Sequence, residues 1–113
     1  MPIPQRIIAA TDFSASATQA VRQAAHLARI WRAELLLVHV FNDSVWASLR
    51  AVYDLPGWND VKPVVNQRAR LMQLGKEIGA EFGVPVEVEV LTGRASQQIG
   101  EIVAARRADL LVV

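Results

Sequence analysis

The apolar residues of the chain fall into short runs that predict strands of two kinds. "IIAA" at residues 7–10 and most of "ELLLVHVF" at residues 34–41 are apolar without alternation. Unbroken runs of this length are typical of strands buried on both faces, as in a parallel sheet covered by helices. "VPVEVEVLTG", at residues 84–93, instead alternates Val with Glu, which predicts one buried face, one wet face and a position at the sheet edge. "ADLLVV", at residues 108–113, predicts a fourth strand.

A first helix is predicted between the first two strands, because small apolar residues recur there at helical spacing. They are Ala17, Ala20, Val21, Ala24, Leu27, Ala28 and Trp31. Asp12, Ser14 and Ser16 are candidate N-caps, and Ser16 with Gln19 has the spacing of a capping box. The alanines on the buried side would let this helix lie close to a sheet.

Two further helices are predicted later in the chain. Asp60 could cap a second long helix, which Gly83 would end. Gly75 and Gly79 weaken that helix intrinsically but allow it to pack closely. "RASQQIGEIVAARR" predicts a third helix, capped by Ser96, with Ile99, Ile102 and Val103 facing inward.

The resulting order, strand and helix in alternation, predicts one α/β domain over residues 1–113. Its fold class is an open parallel sheet with right-handed crossovers and helices on both faces. One connection, residues 42–61, is long and irregular, with a short helix expected near residues 45–52. Its Trp46, Tyr53 and Trp58 fit a lid over a ligand, a dimer contact or the plain packing of a long loop.

Composition narrows the class of protein. The chain has 113 residues, of which 52% are hydrophobic and 20% charged, as in a globular domain. A net charge of +1 gives no electrostatic reason to expect nucleic acid or an anionic membrane as partner. The absence of cysteine excludes disulfides and Cys-ligated metals. Without an apolar signal core at its start, the chain is expected to be cytoplasmic.

The most promising chemistry follows the first strand, in "TDFS". In open α/β sheets, ligands bind beyond the carboxyl ends of the strands, where the strand order reverses. Thr11, Asp12 and Ser14 lie at such a strand end and at a helix N-terminus, which favours polar or anionic ligands. Asp12 could accept hydrogen bonds from a ribose hydroxyl or a base amino group. The simpler interpretation is that Asp12 and Ser14 only cap the helix.

The other polar residues give weaker indications of a functional site. His39 stands alone in an apolar strand, which favours a hydrogen-bonded histidine of the sheet over a metal ligand, because no second ligand accompanies it. Arg94, after Gly93, could reach a phosphate or simply be solvated. The sequence holds no recognisable nucleophile–base pair, so catalysis is not expected.

Several blocks of the sequence together resemble the universal stress protein family. They are "RIIAATDFSASATQAVRQAAHLAR", "ELLLVHV" and "VLTGRASQQIGEIVAARRADLLVV". The resemblance implies a five-stranded parallel sheet of order 3-2-1-4-5, a homodimer and, in many members, bound ATP. It further implies that Ala10, Thr11, Asp12 and Val40 line the adenosine pocket.

The sequence departs from the family at its end. In ATP-binding members a glycine motif, G-x2-G-x9-G-(S/T), holds the triphosphate and the ribose, and Mg would accompany the phosphates. It would begin at or just beyond residue 114. We therefore expect the chain to be C-terminally incomplete, although a naturally short form is the alternative. Without the fifth strand, the fourth strand would be an exposed apolar edge open to pairing.

The resemblance leads to a main hypothesis and two alternatives. The main one is a stress-response domain that binds an adenine nucleotide, with at most incidental ATPase activity. The first alternative is a dimeric interaction domain of the same fold that binds no nucleotide. The second is an enzyme such as an ATP pyrophosphatase-like ligase, which would need a glycine- and serine-rich phosphate loop after the first strand. "TDFSAS" contains no glycine, which disfavours it.

Overall fold

The computed structural model describes residues 3–41 and 63–113 of the chain. These residues form strands and helices in the predicted alternating order. The strands are β1 (Arg6–Ala10), β2 (Glu34–Phe41), β3 (Val86–Thr92) and β4 (Leu110–Val112), and the helices are α1 (Ala15–Trp31), α2 (Pro63–Phe82) and α3 (Ala95–Arg106). The predictions for the helix at residues 45–52, for the Asp60 cap and for the loop of Trp46, Tyr53 and Trp58 lie outside the described residues.

The strands form one parallel sheet in the order β3-β2-β1-β4. Ile7 of β1 pairs with Leu35 of β2 on one side and with Leu110 of β4 on the other. β3 lies at an edge, as its Val–Glu alternation predicted. The predicted fold class is thus confirmed. The strand order reverses at β1, which has β2 and β3 on one side and β4 on the other.

The two faces of the sheet have separate cores, because alternate residues of each apolar run point to opposite sides. On one face, Ile7, Leu35 and Leu37 pack with buried residues of α1 and α2. On the other, Ile8 and Val38 pack with Ile102 and Val103 of α3, residues predicted to face inward. Each unbroken apolar run therefore packs against helices on both faces of the sheet, as expected of a covered parallel sheet.

Small residues bring the helices close to the sheet. Ala24, Ala25 and Ala28 of α1 are fully buried, which agrees with the predicted close approach. A Cβ added to Gly75 would lie 2.9 Å from Cγ1 of Val88, so α2 packs tightly on β3 there. Gly83 directly follows α2 with a φ of +66°, where glycine is favoured over other residues.

One candidate helix cap is confirmed, and two further cap predictions are wrong. Ser14 is the N-cap of α1, and its side chain accepts a hydrogen bond from the Ala17 backbone N–H. Because α1 begins at Ala15, Ser16 lies inside its first turn. The proposed capping box of Ser16 with Gln19 is therefore not formed. α3 begins at Ala95, so Ser96 lies inside its first turn, and the N-cap position is taken by extended Arg94 without a side-chain cap. In both cases the helix begins two residues earlier than a cap at that serine would require.

Candidate functional site

A cleft of about 400 Å³ opens at the carboxyl ends of β1 and β2. All four residues that the sequence placed at an adenosine pocket line it: Ala10, Thr11, Asp12 and Val40. The remaining lining residues are Ser14, Ser16, Ala17, Val38, His39, Ala95, Ile99 and Val113. Its volume lies within the range of small-molecule pockets, about 300–1,000 Å³.

The topology explains why the cleft lies there. β1 has β2 on one side and β4 on the other, so the connections leaving these strands diverge, and a crevice opens between them. α1 and α3 pack on opposite faces and both begin at this edge, with Ala17 and Ala95 in the lining. The positive ends of two helix dipoles therefore lie beside the cleft and favour a ligand with negative charge.

Asp12 supplies a carboxylate at the mouth of the cleft. Its Oδ1 accepts a hydrogen bond of 2.9 Å from the backbone N–H of Ser14. The side chain and the backbone N–H of Ser14 hold the pKa of the Asp12 carboxyl below its ordinary value, and His39 adds a smaller electrostatic effect in the same direction. Asp12 is exposed, so an ionised carboxylate is available to hydrogen-bond donors at neutral pH.

The capping function that competed with a ligand role belongs to Ser14. Its Oγ accepts from the Ala17 N–H at 3.1 Å. Asp12 instead closes a tight turn just before the helix, in which a side-chain oxygen accepts from the N–H two residues on. This bond occupies one carboxylate oxygen and leaves the other outside the turn.

Thr11 is the anchor of the loop. Only 5% of its surface is exposed, and its three polar groups all have partners within the protein. Its N–H donates to the Val38 carbonyl at 2.9 Å, its Oγ1 accepts from the Phe13 N–H at 3.0 Å, and its carbonyl oxygen lies 2.8 Å from His39 Nδ1. Thr11 lines the cleft but serves mainly to fix the backbone on which Asp12 is carried.

His39 is a hydrogen-bonded histidine of the sheet, as predicted. A carbonyl oxygen can only accept, so the short contact with Thr11 requires a proton on Nδ1. Among the described residues, no cluster of three or more His, Cys, Asp or Glu side chains could hold a metal ion. Arg94 is exposed, at the N-cap of α3, and is not part of the cleft lining.

Ile99 and Ala95 were not identified as site residues from the sequence. They occupy the first turns of α3 and supply an apolar wall opposite the loop after β1. Their spacing of four residues on one helix face was a usable signal, once α3 was known to start at the same edge of the sheet as α1. The inward direction predicted for Ile99 therefore leads to the cleft and not to the centre of the core.

Within residues 3–41 and 63–113, no helix is both long and apolar enough to cross a membrane.

Comparisons with known proteins agree with this geometry. The sequence model of the universal stress protein family matches residues 4–113. A curated relative, universal stress protein MJ0531 of Methanocaldococcus jannaschii, is 24% identical over 110 residues, which cover 96% of this chain. The match covers only 63% of that relative's length.

Solved structures with the same fold include two that cover nearly the whole chain. The structure of hypothetical protein MJ0577 superposes with a TM-score of 0.75 at 20% identity, and the match covers 99% of this chain and 75% of that one. A universal stress protein in complex with cAMP superposes with a TM-score of 0.71 at 20% identity, covering 97% and 71%. At this level of identity the likeness establishes the fold.

Proposed function

Because the chain belongs to the universal stress protein family, we propose that it is a stress-response domain whose cleft binds an adenine nucleotide, with ATP as the first candidate. The observation that carries the proposal is that Ala10, Thr11, Asp12 and Val40 line one cleft, in which the Asp12 carboxylate is ionised. A structural relative with cAMP bound supports an adenine nucleotide as the class of ligand.

The lining fits the nucleoside half of such a ligand. Ala10, Val40 and Ile99 offer apolar surface against which a base can lie, since polar atoms are few on those walls. Asp12 can accept hydrogen bonds from a ribose hydroxyl or an exocyclic amino group, and charge-assisted bonds of this kind are the stronger ones. The neighbouring starts of α1 and α3 favour the negative charge of the phosphates.

Holding a triphosphate with Mg requires more than these residues. The described chain contributes helix N-termini on the phosphate side, whereas a glycine-rich cradle would have to come from sequence beyond residue 113. We therefore assign the nucleoside contacts to this chain and leave the phosphate contacts to such a segment. Cyclic AMP, with a single phosphate, needs less of that cradle than ATP and is the second ligand to be tested.

Calorimetric titration with ATP, cAMP and GTP tests the proposal. We expect adenine nucleotides to bind more tightly than GTP, and Asp12→Ala to weaken their binding about tenfold or more, because a charge-assisted hydrogen bond is lost. Glu77→Gln, an exposed carboxylate of α2 outside the cleft, is the matched control and should leave the affinity unchanged. Equal affinities of wild type and Asp12→Ala, or no binding at all, would refute the proposal.

A second candidate, a dimeric interaction domain, is favoured by the edge of the sheet. Among the described strands β4 pairs with β1 alone, and Leu111 is 38% exposed. We propose that this edge pairs with a further strand, either of a longer polypeptide or of a second copy in a cytoplasmic homodimer. Sedimentation analysis of wild type and Leu111→Lys distinguishes these cases. A dimer that persists in the variant would place the dimer contact elsewhere.

A further inference from the structure

Phe13, the residue after Asp12, has a left-handed backbone conformation. Its φ is +65°, a region that is unfavourable for L-residues with a Cβ and that bulky side chains seldom occupy. Such conformations persist where the surroundings hold them in place, and they are found disproportionately at functional sites. The contacts of the Phe13 side chain show what holds it here.

Two side chains from different parts of the fold pack against the Phe13 ring. The ring centroid lies 4.7 Å from that of His39, with the planes inclined at 43°. The guanidinium carbon of Arg70, on α2, lies 4.3 Å from the Phe13 ring centroid, which is the geometry of a cation–π interaction. Phe13 also packs against the core between the sheet and α1. The ring is therefore held between β2 and α2.

Two of these residues, His39 and Phe13, also form hydrogen bonds with Thr11, on the other side of Asp12. His39 Nδ1 binds the Thr11 carbonyl at 2.8 Å, and the Phe13 N–H donates to Thr11 Oγ1 at 3.0 Å. Thr11 is also fixed to β2 through its own N–H. Asp12 thus lies between a residue fixed by hydrogen bonds and one fixed by its packed ring.

We propose that Arg70, Phe13 and His39 form a positioning stack that holds the Asp12 carboxylate in its ligand-binding orientation. The stack would set the affinity for the nucleotide from a helix, α2, that contributes no described residue to the cleft lining. If the ring is released, Phe13 can relax to a right-handed or extended conformation. The turn closed by Asp12 and Ser14 then opens, and the carboxylate leaves the cleft. The ligand part of this inference rests on the function proposed above.

The stack is tested first without any ligand. Hydrogen exchange at the Ser14 amide, which donates to Asp12 Oδ1, reports directly on the turn. Phe13→Ala should speed this exchange about tenfold through the loss of the aromatic contacts. Phe13→Gly tolerates the left-handed backbone but has no ring, so it should also exchange faster. Phe13→Tyr keeps the ring and should restore slow exchange.

Arg70 is exposed and can be changed without disturbing the core. Arg70→Met should speed Ser14 exchange and weaken nucleotide binding about two- to fivefold, as expected for a lost cation–π contact. Arg70→Lys, which keeps the charge, should fall between wild type and Arg70→Met. The matched control is Arg68→Met, two residues away on the same helix and also exposed, with the same change in charge and no expected effect.

The outcomes separate this inference from the proposed function. Unchanged Ser14 exchange in correctly folded Phe13→Ala and Arg70→Met overturns the positioning stack, even if nucleotide affinity falls. Faster exchange in these variants, with wild type failing to bind any nucleotide, supports the stack as a determinant of the loop and refutes its ligand role. Faster exchange together with weaker binding supports both. Should Phe13→Ala fail to fold, the two Arg70 variants and Phe13→Tyr decide the question.

Discussion

The two ends of the sheet each carry an aspartate whose carboxylate accepts backbone N–H groups, but they use it differently. At the amino end, Oδ2 of Asp109 accepts from Gln5 N–H at 2.8 Å and from Arg6 N–H at 3.0 Å. At the carboxyl end, Oδ1 of Asp12 accepts from the N–H of Ser14. Hydrogen bonds to the ionised form lower the pKa of both carboxyls.

The difference lies in the sequence distance that each carboxylate spans. The Asp109 carboxylate bonds Gln5 and Arg6, which precede it in the sequence by 104 and 103 positions. It therefore fastens the start of β4 to the start of β1. Asp12 bonds a residue only two positions away, so its turn is local and holds no distant elements together. The same chemistry thus closes the sheet at one end and presents a charge to a cleft at the other.

The largest effect expected from this comparison is on thermal stability. Asp109→Ala should lower the melting temperature clearly more than Asp12→Ala, because it removes the acceptor of two long-range hydrogen bonds. Asp109→Asn keeps an oxygen at that position and should fall between Asp109→Ala and wild type. Thermal unfolding followed by circular dichroism measures all three. Equal losses for Asp109→Ala and Asp12→Ala would remove the distinction between the two ends.

The acid dependence of stability should show a smaller effect. A carboxyl with a lowered pKa in the folded state stabilises the fold above its unfolded pKa, and this contribution is lost as pH falls through the folded pKa. For Asp109 the loss begins near its ordinary value of 3.8 and continues below it. Between about pH 5 and about pH 3, Asp109→Asn should therefore lose less free energy of unfolding than wild type. Urea titrations at several pH values give this slope, and parallel slopes would contradict the assignment.

The smallest effect is expected for the exposed ion pairs at the amino end. Arg106 contacts Glu87 at 3.3 Å and Glu89 at 3.2 Å, with about half of the Arg106 side chain exposed. Arg106→Met should cost about 0–1 kcal/mol of unfolding free energy per pair, because solvent screens such interactions. The loss should shrink further in high salt. A loss as large as that of Asp109→Ala would show that the ion pairs stabilise this end as much as the aspartate does.

Much of the fold could be predicted because it depends on local pattern. Unbroken and alternating apolar runs distinguished the covered strands from the edge strand β3, and the buried alanines of α1 were visible as a helical stripe. The strand order itself came from the family resemblance, since the residue pattern placed β3 at an edge but did not indicate which strands are neighbours. The serine spacing led to the wrong cap for α3, because several polar residues near a helix start compete and only the backbone path decides between them.

The site was predictable only in part, for a related reason. Thr11 and Asp12 follow β1, and the general rule for parallel sheets places them at the ligand-binding edge. Val40 was expected there only from the family resemblance. The contact of Phe13 with His39 and Arg70 joins residues from three elements far apart in sequence. No spacing rule connects such residues. Phenylalanine seldom adopts a left-handed backbone conformation, so its presence at position 13 gave no indication of one.

The long separation between β1 and β4 has a consequence for how the protein is made. During synthesis, β1 emerges first and can pair with β2 once about a third of the chain has been produced. Its other side has to wait for Leu110, Leu111 and Val112. A growing chain therefore carries a half-built sheet with one bare edge, which is a site for unwanted association between nascent chains. Pairing of β4 then covers this side of β1 and brings Val113 to the cleft.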